Sequence, residues 1–409
     1  MSNLIFKKPT ANRIFLLLLC FFPIPIGFCT DLNTLIKSLH QSDWFQSQTK
    51  TSTVLSDVIA SDQPRHSWEI GFSRETQSGS VTEDFISLQR QFNSAWLKGV
   101  YREQSKLDAE LQHLDYLNYT KSKELEVYNL FYDALRIQDE LELRTSYLQA
   151  LNGLLKRLEY RIKQGVGAAY DLKRLRQQQV LENQTIQSLE ASLSARKIQL
   201  KSFCLHETTV QKLQGTLLPE WSSSIQNDEI NKLDANLKVR REGLELQRLQ
   251  QNQKQLENRF FKNYTLEFGT KRIDEPGLDG SGAIFSFSTP VPLDDIHKQK
   301  RQRYQLMAEL RLSELNQHKS YLTSQLSLLG TLILKTVQQS KDQQELLIQS
   351  AISLHKTKEK AYQNGAGTLA DLLDTRRHLL ESHLQAQQTK YKARQAWLEF
   401  KTLLIGVEQ

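Results

Sequence analysis

Two stretches decide the fold: Arg161-Ile-Lys-Gln-Gly165-Val-Gly167-Ala-Ala-Tyr-Asp171-Leu172, and Tyr362-Gln-Asn-Gly365-Ala-Gly367-Thr-Leu-Ala-Asp371-Leu372. The second repeats the Gly-x-Gly and Asp-Leu of the first 200 residues later. Around them the correspondence continues: Arg176 returns as Arg376, and Leu154, Lys156 and Glu159 return as Leu354, Lys356 and Glu359. Earlier in each half, Glu69 and Gly71 match Glu267 and Gly269, and Ala109-Glu110-Leu111 matches Ala308-Glu309-Leu310. The offset drifts only from 198 to 200, so the chain reads as a tandem duplication of strands, a long helix, a Gly turn and a long helix.

Proline placement shows how long those helices run. None occurs between Pro64 and Pro219, or after Pro292, and an interior proline costs a helix about 3 kcal/mol. Within the first gap Ile137, Leu141, Leu148, Leu151, Leu155, Leu158 and Ile162 step by threes and fours, with Arg144 in the one vacant place. Leu172, Leu175, Ile186, Leu189, Leu193 and Leu200 keep that register, interrupted by Gln179, Glu182 and Arg196. Leu322, Leu326, Leu329 and Ile333 repeat it later. This is heptad packing. A helix from Leu97 to Ile162 is about 100 Å long, so the helices must lie along one another as a rod, folding back near residue 165. The polar seam positions read either as register devices or as residues facing a wet interior.

Ahead of each long helix the period changes to two. Trp68, Ile70 and Phe72 alternate with Glu69, Gly71 and Ser73, and Ile86 and Leu88 alternate with Ser87 and Gln89 beyond a turn near Gly79. In the second half Tyr264, Leu266 and Phe268 lead to a Gly-rich turn, followed by Phe285 and Phe287 and then Pro290 and Pro292. Such alternation suits a half-buried soluble strand, or one with lipid outside and water inside. Four strands are too few to close a barrel, for which about eight is the practical minimum. Lipid tolerates no open edge, so a membrane reading requires several chains to share a barrel. The soluble alternative is a small sheet capping a helical rod.

Composition removes other classes. The 409 residues are 39% hydrophobic with 17 Gly and 8 Pro and a mean hydropathy of −0.51, as expected of long helices that bury a narrow stripe. After residue 30 no apolar run approaches the ~20 residues of a membrane-spanning helix. Cys20 and Cys29 fall in the leader and leave Cys204 alone, which excludes a disulfide scaffold. The net charge of +7 comes from 53 basic and 46 acidic residues that alternate in sign along the helices. That pattern belongs to a solvated face and argues against a nucleic-acid partner. Residues 1–29 read as a signal peptide: Lys7, Lys8 and Arg13, then apolar Ile14 to Phe22, then a cut before Thr30. Alternatively Cys29 becomes a lipidated N-terminus. No catalytic, cofactor or metal constellation emerges. The Gly-x-Gly pairs lack the third glycine and preceding strand of a phosphate loop, the nine His are scattered, and Met1 and Met307 are too few for a thioether Cu(I) relay.

With these residues in place the chain resembles the TolC-like outer membrane efflux factor family. The likeness is sharpest at the two turns, Arg161 to Leu172 and Tyr362 to Leu373, and in Phe285-Ser-Phe-Ser-Thr-Pro-Val-Pro-Leu293 running into a charged helix. Its compact length is similar to the metal-cation efflux branch. The resemblance implies a mainly α fold with a small β part: a homotrimer whose helical hairpins form an α-barrel in the periplasm, joined to a shared 12-stranded β-barrel in outer membrane lipid. It divides the chain into a first repeat (30–206), an equatorial segment (207–260) and a second repeat (261–409). The first repeat holds a short N-terminal helix, a β-hairpin at about 66–92 and a helical hairpin at about 97–205. The second holds a β-hairpin at about 262–291 and a helical hairpin at about 294–405.

The resemblance also implies roles for single residues. Gly165, Gly167, Gly365 and Gly367, with Arg161, become the tips that meet a periplasmic adaptor. Asp371 and Asp374 form acidic rings at the closed pore entrance. Asp171 and Tyr362 latch neighbouring helices, and Arg161 or Arg376 replaces a basic latch residue whose place Gly367 takes. The implied function is a passive exit duct for a tripartite efflux or type I secretion system powered by an inner-membrane pump. Read without the resemblance, the glycines equally terminate helices, and Asp171 and Asp371 are acids that helix N-termini favour. The rival functions are a periplasmic adaptor and a structural coiled coil.

Overall fold

The computed structural model describes residues 31–61, 66–77, 81–165, 169–203, 212–257, 262–275, 277–291 and 297–404. Residues 1–29, read from the sequence as a signal peptide and including Cys29, lie outside the described residues, as do Cys204 and Gly167. The chain opens with α1 (Leu32–Gln41) and α2 (Asp43–Ser61), where the sequence reading has one short helix. Ser42 divides them: its backbone N–H and Oγ both donate to the carbonyl of Leu39, and its Oγ accepts the N–H of Phe45. Then follow β1 (Glu69–Gln77), β2 (Val81–Asn93), α3 (Ala95–Lys163) and α4 (Ala169–Lys201). The connecting segment contains α5 (Ser223–Asn231) and α6 (Leu237–Gln255). The second half repeats the order with β3 (Asn263–Glu275), β4 (Leu278–Ser288), α7 (Lys298–Asp342), a π-helical segment (Gln343–Ile348), α8 (Gln349–Gln363) and α9 (Leu369–Leu403).

The 69 residues of α3 extend about 100 Å at 1.5 Å per residue. Ser94 caps its start by accepting the N–H of Leu97 at 3.2 Å. Its end and that of α8 are built alike. Gly165 and Gly365 take φ of 76° and 77°, a left-handed conformation that β-carbon sterics discourage in other residues. Their N–H groups donate to the carbonyls of Ile162 and Tyr362 at 2.9 and 3.2 Å. Each hairpin therefore turns back within a few residues, and α9 restarts under Thr368, whose Oγ1 accepts the N–H of Asp371 at 3.1 Å.

The core is a string of narrow clusters along the rod. Phe131, Leu135, Leu200, Leu213 and Leu398 gather α1, α3, α4, α9 and the connecting segment. Leu326, Ile333 and Phe400 join α7 to α9. Leu107, Leu111 and Leu114 of α3 meet Leu237 and Leu244 of α6. Leu151, Leu158, Leu175, Leu369 and Leu372 bind the two hairpins near their turns. The heptad positions Ile137, Leu151, Leu158, Leu322, Leu326, Leu329 and Ile333 are buried. Leu154, off that seam, is buried as well, because α3 also packs against α9.

The polar seam positions pair across α3 and α4. Arg144 donates to Glu182 at 3.1 Å, Gln179 to Asn152 at 2.8 Å, and Arg196 to Asp133 at 2.8 Å. A register shifted by one heptad would leave these half-buried groups unpartnered, so they act as register devices. Sequence offers no sign of the π-helical segment. Near it Ser340 Oγ and Gln343 Oε1 are buried without a hydrogen-bond partner.

Candidate channel wall and helical tips

The four strands form one antiparallel sheet in the order β1-β2-β3-β4. Its centre is the β2–β3 pair, which joins halves of the chain far apart in sequence, with Leu88 opposite Phe268 and Ile86 opposite Thr270. Because side chains alternate, the register sorts residues by face. One face carries the row Ile70, Leu88, Phe268 and Phe285 across all four strands. Ile70 is 79% exposed, Phe72 68% and Phe285 65%, so this apolar surface has no cover within the chain. Towards the helices the same face ends in an aromatic group: Phe92 stacks on Tyr264 at 5.5 Å, and Tyr264 meets Phe287 at 5.8 Å. Towards the turns it ends in an Arg74–Asp84 pair with two bonds, 2.7 and 2.9 Å. The opposite face carries Glu69, Gln89, Glu267 and Ser286 in one row. There Gly269 leaves the space the Phe85 ring occupies; a β-carbon would lie 2.8 Å from that ring.

At the other end of the rod the two hairpins converge, and the predicted tip residues separate into contacts. Asp371 lies in the first turn of α9, with its carboxylate 3.8 Å from Lys358 Nζ on α8. Asp374 sits one turn on, exposed, 3.9 Å from Arg174 of α4. The Arg161 guanidinium lies 5.8 Å above the Tyr362 ring and links α3 to α8. Asp171 occupies the first turn of α4. No hydrogen bond among the described residues joins it to Tyr362, which packs against the same apolar cluster as Leu172. Gly367 lies inside the second turn, where a β-carbon would come within 3.1 Å of the Tyr362 backbone nitrogen.

Sequence reading missed the partners Lys358, Arg174 and His355, which carry no local signal. Arg376, named as a possible latch substitute, donates to the carbonyl of Ala150 on α3 at 3.1 Å and lies 3.8 Å from Glu359. Its Nη2 is 3.4 Å from His355 Nε2. Nδ1 of His355 is buried without a partner. Burial, and then the Arg376 charge, push the His355 pKa below the ordinary histidine value. The folded tip thus resists a proton that the unfolded segment accepts. The contribution of His355 to tip stability is fully present above the unfolded value of about 6.5 and is lost as pH falls below it. Hydrogen exchange of amides 350–380, corrected for intrinsic pH dependence, should accelerate between pH 7.5 and 5.5. The His355→Asn variant should lack that dependence; an identical pH profile in the variant would refute the assignment.

Among the described residues no cluster of three or more His, Cys, Asp or Glu could hold a metal ion, and no helix is long and apolar enough to cross a membrane. Neither a family profile nor a curated protein sequence matches the chain. Solved structures do. The outer membrane protein VceC of Vibrio cholerae superposes with a TM-score of 0.69 at 12% identity, covering 92% of this chain and 96% of that one. CusC, described in terms of transmembrane channel formation, gives 0.69 at 14% identity over 92% of both chains. The outer membrane channel MtrE of Neisseria gonorrhoeae, in its open state, gives 0.65 at 12% over 92% and 89%. Two hairpins of long helices, each led by a β-hairpin and merged through one four-stranded sheet, are the fold of the TolC-like outer membrane channels.

Proposed function

We propose that the chain is one third of an outer membrane channel, the passive exit duct of a tripartite efflux or type I secretion system. The observation that carries this reading is the open sheet. It has an uncovered apolar face, an opposite polar face and two outer strands, β1 and β4, each paired on one side. Strands of 9 to 13 residues match the roughly 9–11 that a tilted strand needs to cross a bilayer. Three copies bring β4 of one beside β1 of the next and close a 12-stranded barrel, which removes every edge from lipid. The helices continue it as a hollow barrel in the periplasm. Gly165, Gly167, Gly365, Gly367 and Arg161 meet the adaptor there, and the inner-membrane pump selects the cargo. An adaptor would carry a single hairpin between larger β domains, an architecture unlike the two hairpins and one thin sheet described.

The native mass of the protein extracted from outer membranes in mild detergent tests this reading. A protein mass of three chains is expected; a monomer in the soluble fraction would overturn it. Within the channel Asp371 and Asp374 form the acidic constriction, and Asp171 and Tyr362 act between neighbouring helices. Combined Asp371→Ala and Asp374→Ala substitution removes the carboxylates facing Lys358 and Arg174 as well as the acidic rings. Single-channel conductance in planar bilayers should rise severalfold and cation preference should fall. Unchanged conductance and selectivity would eliminate the gate while leaving the fold intact.

A further inference from the structure

The positive charge of the chain is concentrated at the tips. Residues 156–176 carry seven basic side chains (Lys156, Arg157, Arg161, Lys163, Lys173, Arg174 and Arg176) against Glu159 and Asp171. Residues 356–377 carry Lys356, Lys358, Lys360, Arg376 and Arg377 against Glu359, Asp371 and Asp374. The combined excess of seven equals the formal +7 of the whole chain, so everything outside these two segments sums to zero.

Helix chemistry explains only part of this excess. Bases in a last helical turn suit the dipole, which accounts for Arg161, Lys163 and Lys360. It does not account for Lys173, Arg174 and Arg176, which lie near the start of α4, where the dipole favours acids. The carboxylates nearby are already engaged: Glu159 by Arg176 at 2.8 Å, Asp374 by Arg174, Asp371 by Lys358 and Glu359 by Arg376. Among the described residues no carboxylate lies within 4 Å of Lys156, Arg157, Lys163, Lys173, Lys356 or Lys360, all exposed. Beside them Tyr160 and Tyr170 are 66% and 74% exposed, and space is open around Gly165 and Gly365. Exposed amphipathic aromatics within a net positive charge field, at a turn that a backbone can approach closely, describe a docking surface for a protein of opposite charge.

We propose that these tips recognise an acidic helical hairpin: the adaptor that docks here carries carboxylates at its turn. The inference rests on the channel reading above and adds the charge of the partner. Three copies triple the field, which steers association and rejects adaptors with basic turns.

The test places a photo-crosslinking benzoylphenylalanine at Tyr170 of the full-length protein in the cells that make it, and the captured peptide is sequenced. The expected peptide is a helix–turn–helix with more Asp and Glu than Lys and Arg at its turn. Combined Lys156→Glu, Arg157→Glu, Lys163→Glu and Lys173→Glu substitution should lower the yield at least tenfold. Lysines placed at the acidic turn of the partner should restore it. A neutral or basic turn, a cell-wall glycopeptide as the captured species, no capture, or a yield indifferent to charge reversal overturns the proposal. The native mass of the same preparation separates the failures. An intact trimer without an acidic partner removes this inference alone, and the lack of a trimer removes the channel reading beneath it.

Discussion

If the sheet is a wall of the proposed trimeric barrel, Ile70→Lys should abolish assembly, although in the isolated chain its side chain touches almost nothing. Ile70 is 79% exposed and stands in the row with Leu88, Phe268 and Phe285. In water, lysine at so exposed a position is close to neutral, because surface substitutions usually stay within about 0.5 kcal/mol. On the lipid face of a barrel the same side chain costs about 2–4 kcal/mol near the bilayer midplane. In the proposed trimer three copies bring that to roughly 6–12 kcal/mol per barrel, comparable with the whole stability of a domain. Ser73→Lys, three residues along on the opposite face, is the matched control and should leave assembly intact. The measurement is the yield of trimer in outer membrane extracts. Loss with Ser73→Lys and retention with Ile70→Lys would reverse the sidedness. Equal tolerance of both would eliminate the sheet as a membrane wall.

Arg394→Ala should release the segment that connects the two halves. Arg394 of α9 is buried, with 6% of its surface exposed, and among the described residues no carboxylate pairs with it. It donates instead to backbone carbonyls of the connecting segment: Nε to Leu217 at 3.0 Å, Nη2 to Thr216 at 2.9 Å and to Leu218 at 3.1 Å. Its guanidinium lies 4.2 Å from the Tyr132 ring centre and 4.9 Å from that of Trp397. Burial disfavours its charge, an expense offset by the carbonyl dipoles and ring faces. Truncation removes three bonds from a charged donor, each worth about 1.5–3 kcal/mol, and among the described residues leaves only the Leu218 carbonyl with a second donor, Thr216 Oγ1. Trypsin cleavage after exposed Lys212 should accelerate at least tenfold, and Arg394→Lys, which keeps the charge and loses the planar fork, should fall between. An unchanged cleavage rate would show that the segment is held without Arg394, by burial of Leu213 and Leu217 and by the two bonds between Gln138 and the Leu213 backbone.

The legible part of the fold is local. Leu326 and Ile333 are fully buried where heptad spacing puts them, and Phe268 and Phe285 face one another where period-two spacing puts them. Both follow from the number of residues per turn or pleat, which neighbours in the chain set among themselves. Gly165 and Gly365 turn the chain because only glycine enters the left-handed region at little cost. The candidate tip residues Arg161, Tyr362, Asp371 and Asp374 were named from the repeat and the resemblance. The partners of the two aspartates, Lys358 on α8 and Arg174 on α4, depend on how separate helices lie together, which no spacing encodes.

By itself, then, the sequence determined the period of every long element, the places where the chain reverses, and the doubling of one unit. Tertiary structure alone decided that β2 pairs with β3 to make one sheet, that Arg144 and Glu182 meet across the seam, and that α3 has a second partner in α9. It also decided that Arg394 donates to three carbonyls of the connecting segment. The reason is physical. Local periodicity is a property of consecutive dihedral angles, whereas these contacts join residues from tens to more than two hundred positions apart. They form only when burial and hydrogen bonding together exceed the entropy of bringing such distant segments into contact.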